Sequence, residues 1–245
     1  MNAITQDQPG IALPEEEIAR VAGVYAATGH ARAEGVLEEG HAAMLVHFMM
    51  TGAEWWRAFN QGERTWDLGP DSIAELENTP KGAQLNAAIY EGAREQFQRY
   101  CDVSRVSEDP AERAVRGNVL DRLLDLFNSD AGLDLFRRLT GDDRITLVDG
   151  QATRYQPGHF LTRHHDEIEG RSRIAAYVLN LSPRWRPEWG GLLQFHDDDG
   201  DITTGYVPRF NTLHLLRVPQ CHSVSFVTPF AGGPRLSVTG WLRSA

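Results

Sequence analysis

The sequence has 245 residues, of which 41% are hydrophobic and 24% are charged, and its formal net charge is −10. This length and composition are typical of one globular domain with a substantial extension. An acidic chain argues against general nucleic-acid binding, which needs clustered lysine and arginine, although it is compatible with a basic protein partner. Cys101 and Cys221 are far apart and form no Cys-x-x-Cys pair, which excludes a zinc ribbon and a thioredoxin motif.

Residues 1–13 are predicted to form a flexible N-terminus. The stretch is short and polar, and it lacks the basic and then apolar layout of a signal peptide. No apolar run in the chain approaches the roughly 18 residues that a membrane span requires. We therefore expect no membrane association and a cytoplasmic location.

Residues 14–142 are predicted to be a helical support region of the same domain. Apolar residues recur at helical spacing, and Pro, Asp and Ser signals mark several helix starts. Residues 55–59 are predicted to be a short strand within this region. The predicted helices cover the segments 14–25, 42–50, 85–100, 109–127 and 129–141.

Residues 143–245 change to a β pattern and are predicted to form the catalytic core. Short apolar runs rich in β-branched residues alternate with Gly, Pro, Asp and Asn. So many short strands in about 100 residues indicate a sandwich or jelly roll, with the helices covering one outer face. The predicted strands are 145–155, 160–166, 174–181, 192–195, 212–218, 223–227 and 236–242.

A metal site is predicted from His164-His165-Asp166 together with His222. Side chains alternate along a strand, so His164 and Asp166 would point to the same side. His165 would replace His164 only if the strand bulged. Two histidines and one carboxylate leave coordination positions open, and Fe(II) oxygenases use this ligand set.

The second half of the chain resembles the prolyl 4-hydroxylase-like branch of the Fe(II)/2-oxoglutarate-dependent dioxygenases. Six motifs follow one another in the order that this family shows. They are Tyr155 to Asp166, Arg171 to Asn180, Gly190 to Phe195, Pro208 to Asn211, His222 to Val224, and Arg235 to Trp241.

The resemblance implies an α+β fold whose core is a double-stranded β-helix, or jelly roll. It implies Fe(II) and the cosubstrate 2-oxoglutarate as cofactors, with ascorbate as a candidate reductant. Arg235 would bind the distal carboxylate of 2-oxoglutarate, because a guanidinium forms two parallel bonds to a carboxylate. The further residues that the resemblance places around the cosubstrate or substrate are Tyr155, Ser237 and Thr239 as binding groups, and Trp241 and Val178 as pocket wall.

Val178 is a departure from the family pattern. Family members often carry a tyrosine at this position, and that tyrosine helps to hold the cosubstrate. Tyr177 or Tyr155 would have to supply the missing contact in this chain.

The function that follows from the resemblance is hydroxylation of an unactivated C–H bond, with release of succinate and CO₂. The leading substrate class is a peptidyl prolyl residue, for example in a ribosomal or other basic protein. A free amino acid or a biosynthetic peptide is the main alternative. A third possible function is a metal-binding sensor or interaction module that has lost turnover. The intact set of metal ligands and Arg235 argue against it. The expected partners are a protein or peptide substrate and a small-molecule cosubstrate, while the oligomeric state stays unassigned.

Overall fold

The computed structural model describes residues 10–168, 170 and 172–244. Most of the predicted flexible N-terminus, residues 1–9, and Arg171 of the second motif lie outside the described residues. Residues 10–13 run along the body of the protein, where Ile11 forms a β-bridge with Leu37.

Helices dominate the first part of the described chain, and strands dominate the second. None of the described helices is long and apolar enough to span a membrane. The helices are α1 (Glu15–Thr28), α2 (Glu39–Thr51), α3 (Pro70–Leu76), α4 (Pro80–Gly92), α5 (Pro110–Arg116), α6 (Val119–Phe127) and α7 (Asp130–Thr140). The strands are β1 (His30–Glu34), β2 (Trp56–Gln61), β3 (Arg64–Leu68), β4 (Arg99–Arg105), β5 (Leu147–Val148), β6 (Gln151–Tyr155), β7 (Phe160–His164), β8 (Arg173–Asn180), β9 (Leu193–His196), β10 (Ile202–Tyr206), β11 (Thr212–Arg217), β12 (His222–Val224) and β13 (Arg235–Arg243).

These strands form one antiparallel sheet in the order β1-β11-β8-β13-β6-β4-β7-β12-β9-β10, with β2, β3 and β5 attached at its side. The sheet curls until its two ends face each other. There the His30 ring stacks on Phe195 with 4.1 Å between centroids, and Tyr206 lies 4.7 Å from His214. The curled sheet confirms the predicted α+β class with a jelly-roll core.

A helical layer covers one outer face of the curled sheet, as predicted. Phe127 of α6 and Phe136 of α7 lie 5.2 Å apart, and both pack against Tyr177 of β8. All three side chains are buried, so burial of apolar area fixes this layer on the sheet. The opposite face of β8 is thereby left to line the interior of the curl.

Two predicted helices differ from the observed ones. The predicted helix 109–127 is split, because Gly117 adopts a φ of 61° and Asn118 caps α6 with its side chain. The predicted helix 85–100 is wrong in its last part, since α4 ends at Gly92 and Arg99 begins strand β4. Spacing of apolar residues across the intervening loop imitated a helical period.

Strand β4 joins the first half of the chain to the second. It pairs with β6 and β7 of the second half and with β2 of the first half. The region predicted to be helical support therefore contributes four strands, β1 to β4, of which the sequence predicted one. Because these strands are part of the same sheet, the two regions share one hydrogen-bonded framework.

Candidate active site

The three predicted metal ligands meet at the open end of the curl. His164 ends β7, Asp166 follows two residues later in a loop, and His222 begins β12. His164 and His222 are direct partners in the antiparallel register of β7 and β12. Their ring centroids lie 4.2 Å apart, and the two Nε2 atoms are 3.7 and 3.6 Å from the oxygens of Asp166.

The backbone orients both imidazoles. His164 Nδ1 lies 3.0 Å from the carbonyl oxygen of Thr162, and His222 Nδ1 lies 2.8 Å from that of Gln220. A proton on each Nδ1 satisfies those carbonyls and leaves each Nε2 lone pair directed toward Asp166. The potential ligand atoms all lie within 4.8 Å of one another, so these side chains could hold a metal ion.

Asp166 reaches this position by a route other than the predicted one. The strand ends at His164, so a loop and not strand alternation brings the carboxylate to the histidines. Arg173 Nη1 donates a 2.8 Å hydrogen bond to the carbonyl oxygen of Asp166 and helps to hold this loop. His165 is exposed and is not part of the cluster.

A cavity of about 650 Å³ extends from the cluster of His164, Asp166 and His222 into the interior of the curled sheet. Its walls come from β4, β6, β7, β8, β9, β11, β12 and β13. The sequence-predicted residues that line it are His164, Asp166, His222, Arg235, Tyr155, Thr239, Trp241 and Val178.

Arg235 lies at the inner part of this cavity and is only 1% exposed. Its Nη2 donates a 3.3 Å hydrogen bond to Asn180 Oδ1, and its guanidinium carbon lies 5.0 Å from the centre of the Tyr155 ring. Its Nε has no hydrogen-bond partner, and none of the described carboxylates forms an ion pair with it. Burial lowers the pKa of Arg235, which reflects the cost of an uncompensated cation. A carboxylate ligand would remove that cost, which is the chemistry expected of a 2-oxoglutarate site.

Ser237 occupies a different place from the other predicted residues. It is fully buried and does not line the cavity. Its hydroxyl lies 2.7 Å from Thr153 Oγ1, and Thr153 is the cavity-lining member of the pair.

Comparison with known proteins identifies a superfamily for the second half of the chain. The model of the 2OG-Fe(II) oxygenase superfamily matches residues 150–243, which include the metal cluster and Arg235. These residues belong to that superfamily. The match confirms the predicted superfamily, which implies Fe(II) and 2-oxoglutarate as cofactors, while ascorbate stays a prediction.

A curated relative adds a second likeness to this oxygenase domain. The chain is 33% identical over 111 residues to mouse "Prolyl 3-hydroxylase OGFOD1". The match covers 42% of this chain and 20% of the mouse protein, so the chain spans only a fifth of that relative.

Solved structures show the same fold over nearly the whole chain. A prolyl-4-hydroxylase from Pseudomonas putida superposes with a TM-score of 0.57 at 21% identity, covering 93% of this chain and 99% of its own. A prolyl hydroxylase from Trichoplax adhaerens, bound to a peptide fragment of hypoxia inducible factor, gives a TM-score of 0.58 at 15% identity, with coverages of 94% and 91%. At these identities the likeness establishes the fold.

Both tyrosines near Val178, Tyr155 and Tyr177, line the cavity. The Tyr177 hydroxyl donates a 3.0 Å hydrogen bond to the carbonyl oxygen of Asp149, and its ring packs in the helical layer. Tyr155 is 4% exposed and its ring lies over Arg235, so of the two it is the one that contacts this arginine.

Several cavity residues of the oxygenase domain and of β4 were not predicted. Phe97 and Arg99 lie in the last part of the segment 85–100 that the sequence predicted to be helical, and Cys101 follows directly after it. The Phe97 ring is 5.3 Å from the ring of His164. Thr153 lies outside the six sequence motifs, and its position beside the cavity is seen only from its pairing with Ser237 across β6 and β13.

Proposed function

We propose that this chain is an Fe(II)- and 2-oxoglutarate-dependent dioxygenase that hydroxylates a peptidyl prolyl residue. The observation that carries the proposal is the buried Arg235, which has no acidic partner among the described residues and shares one cavity with the His164, Asp166 and His222 cluster. An anion-binding group and a metal-binding group in one cavity suit a cosubstrate that is both a chelator and a dicarboxylate. The substrate class follows from the prolyl hydroxylases that the chain resembles.

Each side chain has a role in this proposal. His164, Asp166 and His222 would hold Fe(II), and their three donors leave positions for the cosubstrate and O₂. Arg235 and Tyr155 would bind the distal carboxylate, with Thr239 as a further hydroxyl donor. Fe(II) and 2-oxoglutarate, when bound, supply the oxidation of a C–H bond by O₂, with succinate and CO₂ as the other products.

The apolar walls of the cavity keep bulk water away from the reacting groups. Leu161, Val178, Leu193, Val224 and Trp241 line it near the metal cluster. A dry cavity strengthens the electrostatic attraction between Arg235 and a carboxylate, and it protects an oxidising centre from side reactions. The substrate would enter at the open end, where Phe97 lies beside His164.

The proposal is tested by following succinate formation and 2-oxoglutarate consumption with proline-containing peptides, and by locating one added oxygen atom with mass spectrometry. Asp166→Ala and His164→Ala should abolish succinate formation. His47→Ala is the control and should retain it, because His47 is exposed and belongs neither to the cluster nor to the cavity lining. Full turnover in either ligand variant would rule out the metal assignment. Oxygen addition to free amino acids alone would move the substrate to the small-molecule class.

A further inference from the structure

We propose that the substrate is a peptide in which the apolar target residue is flanked by an acidic residue. This inference rests on the proposed function for the chemistry of the cavity, and it concerns which peptides enter. Among the described residues that line the cavity, the only carboxylate is Asp166, which is a proposed metal ligand. Four arginines line the same cavity, although the chain as a whole carries a formal charge of −10. They are Arg99, Arg163, Arg173 and Arg235.

Arg99 is the first of two arginines that a substrate carboxylate could reach. It lies on β4 with the same strand parity as Cys101, so its side chain is directed into the cavity. Its nearest carboxylate is that of Asp67, at 3.9 Å, and Asp67 makes a closer contact of 2.7 Å with Arg105. The charge of Arg99 is therefore only weakly compensated within the described structure.

Arg163 lies on β7 immediately before His164. Its Nη2 donates a 2.9 Å hydrogen bond to the carbonyl oxygen of Asp197, which fixes the guanidinium beside the cavity mouth. The partner is a backbone oxygen, and none of the described carboxylates forms an ion pair with Arg163. The Asp197 carboxylate accepts a hydrogen bond from the backbone N–H of Asp201.

Two exposed apolar side chains complete the mouth. Phe97 is 43% exposed and Ile168 is 52% exposed, and both line the cavity. These two side chains give the rim of the cavity apolar contact area beside Arg99 and Arg163. Apolar groups beside cations fit an apolar residue next to Asp or Glu, and they repel a lysine- or arginine-rich segment.

The test is a binding measurement that does not depend on turnover. The full chain, loaded with Mn²⁺ and 2-oxoglutarate, is titrated with short peptides that have a central proline. The residues next to the proline are Glu, Gln or Lys, which defines three peptide classes, and the outer positions are randomised. We expect Glu peptides to bind about two- to fivefold more tightly than Gln peptides, the size of one exposed ion pair, and Lys peptides to bind weakest. The preference should shrink as salt is raised.

Three variants at Arg99 and Arg163 assign the effect to residues. Arg99→Gln and Arg163→Gln should each reduce the ratio of Glu to Gln affinity, and Arg163→Glu should favour Lys peptides. Arg122→Gln removes one positive charge from the helical layer and is the matched control, with an unchanged ratio expected. Equal affinity for the three peptide classes, a preference for Lys, or an unchanged ratio in both arginine variants would overturn the inference.

The same peptides separate this inference from the proposed function. They are incubated with the Fe(II)-loaded chain, 2-oxoglutarate and O₂, and the added oxygen atom is measured. Acid-selective binding without oxygen addition to any peptide would support the charge selectivity and contradict the hydroxylase. Oxygen addition without charge selectivity in binding would support the hydroxylase and contradict the charge selectivity.

Discussion

The guanidinium of Arg235 lies 5.0 Å from the centre of the Tyr155 ring, where β13 and β6 pair residue to residue. Both side chains are buried, at 1% and 4% exposure. A desolvated contact between a cation and an aromatic ring stabilises by about 2 kcal/mol. It does not neutralise the charge, so it offsets only part of the cost of burying the cation, and a ligand with a negative charge would offset the rest.

Replacing Arg235 should therefore separate ligand affinity from stability. Arg235→Met removes a buried cation that lacks an acidic partner among the described residues, so the free energy of unfolding without ligand should change by no more than about 1 kcal/mol. The dissociation constant for 2-oxoglutarate should rise about 100-fold, because a charged pair of hydrogen bonds is lost. Isothermal titration of the Mn²⁺-loaded protein and thermal denaturation measure the two quantities.

Arg113→Met is the matched control for that variant. Arg113 is 5% exposed but pairs with Asp125 at 2.7 Å and donates to two backbone carbonyls. Its loss should lower stability by about 2 kcal/mol and leave 2-oxoglutarate affinity unchanged. If Arg235→Met destabilised the protein like Arg113→Met and kept its affinity for 2-oxoglutarate, Arg235 would be a structural residue.

The hydroxyls of Thr153 and Ser237 give a second prediction. Because Ser237 contacts Thr153 at 2.7 Å and does not line the cavity, Ser237→Ala should lower stability by about 1 kcal/mol. Its effect on 2-oxoglutarate affinity should be small compared with that of Arg235→Met. Denaturant unfolding of Ser237→Ala, Thr153→Val and the double variant would show coupling between the two sites. Additive losses with a large drop in affinity would favour the direct cosubstrate contact that the sequence predicted for Ser237.

The sequence predicted the jelly roll because its strands are short, apolar and separated by turn residues. It also predicted that His164, Asp166 and His222 would lie together, although by strand parity, whereas Asp166 lies in a loop. On β13, Arg235 and Thr239 share one parity and line one cavity, whereas Ser237 between them packs against Thr153 and does not line it.

Other features of the site and the fold depend on contacts between strands, which the sequence of one strand alone does not determine. The position of Thr153 beside Ser237 follows from sheet register, and register is set by the whole fold. Phe97 and Arg99 were assigned to a helix because apolar spacing continued from α4 into a strand. The pairing of β1 with β11 joins residues about 180 positions apart, and no local pattern predicts it.

Asp102 of β4 provides a third prediction, which concerns how the two halves are joined. Its buried carboxylate accepts hydrogen bonds from Arg57 of β2 and from Arg154 and Gln156 next to the barrel. Burial raises the pKa of Asp102, but the charges of His159 and Arg57 and the hydrogen bonds from Arg57 and Gln156 outweigh burial and hold that pKa below its usual value. Asp102→Ala should lower stability by about 3 to 5 kcal/mol, because it removes a buried carboxylate and leaves the half-buried Arg57 and Arg154 without that partner.

Asp67→Ala is the control for Asp102→Ala. Asp67 contacts Arg105 and Arg99 on the same strand, but its side chain is 32% exposed. Its loss should cost no more than about 1 kcal/mol in the free energy of unfolding. Equal effects in urea denaturation would show that the Asp102 cluster does not join the halves.

The last prediction concerns His214, which is 1% exposed on β11 and has no hydrogen-bond partner for either ring nitrogen among the described residues. Burial first, and then the charges of Arg32 and Arg235, lower the pKa of His214 to about 3. The folded state thus keeps His214 neutral, whereas the unfolded state binds a proton below about pH 6.5. Since the unfolded state binds more protons, stability falls as the pH falls from about 6.5 toward 3.

His214→Leu should remove this contribution and flatten the pH dependence of unfolding. The free energy of unfolding of the wild type should fall by up to about 1.4 kcal/mol per pH unit more steeply than that of the variant. The exposed His47→Leu is the control and should keep the wild-type slope, because its imidazole lies in solvent in both states. Urea unfolding between pH 7 and 5 measures the slopes. Parallel curves for the wild type and His214→Leu would mean that His214 binds a proton equally well in the folded and the unfolded state, through a hydrogen-bond partner that it finds in solution.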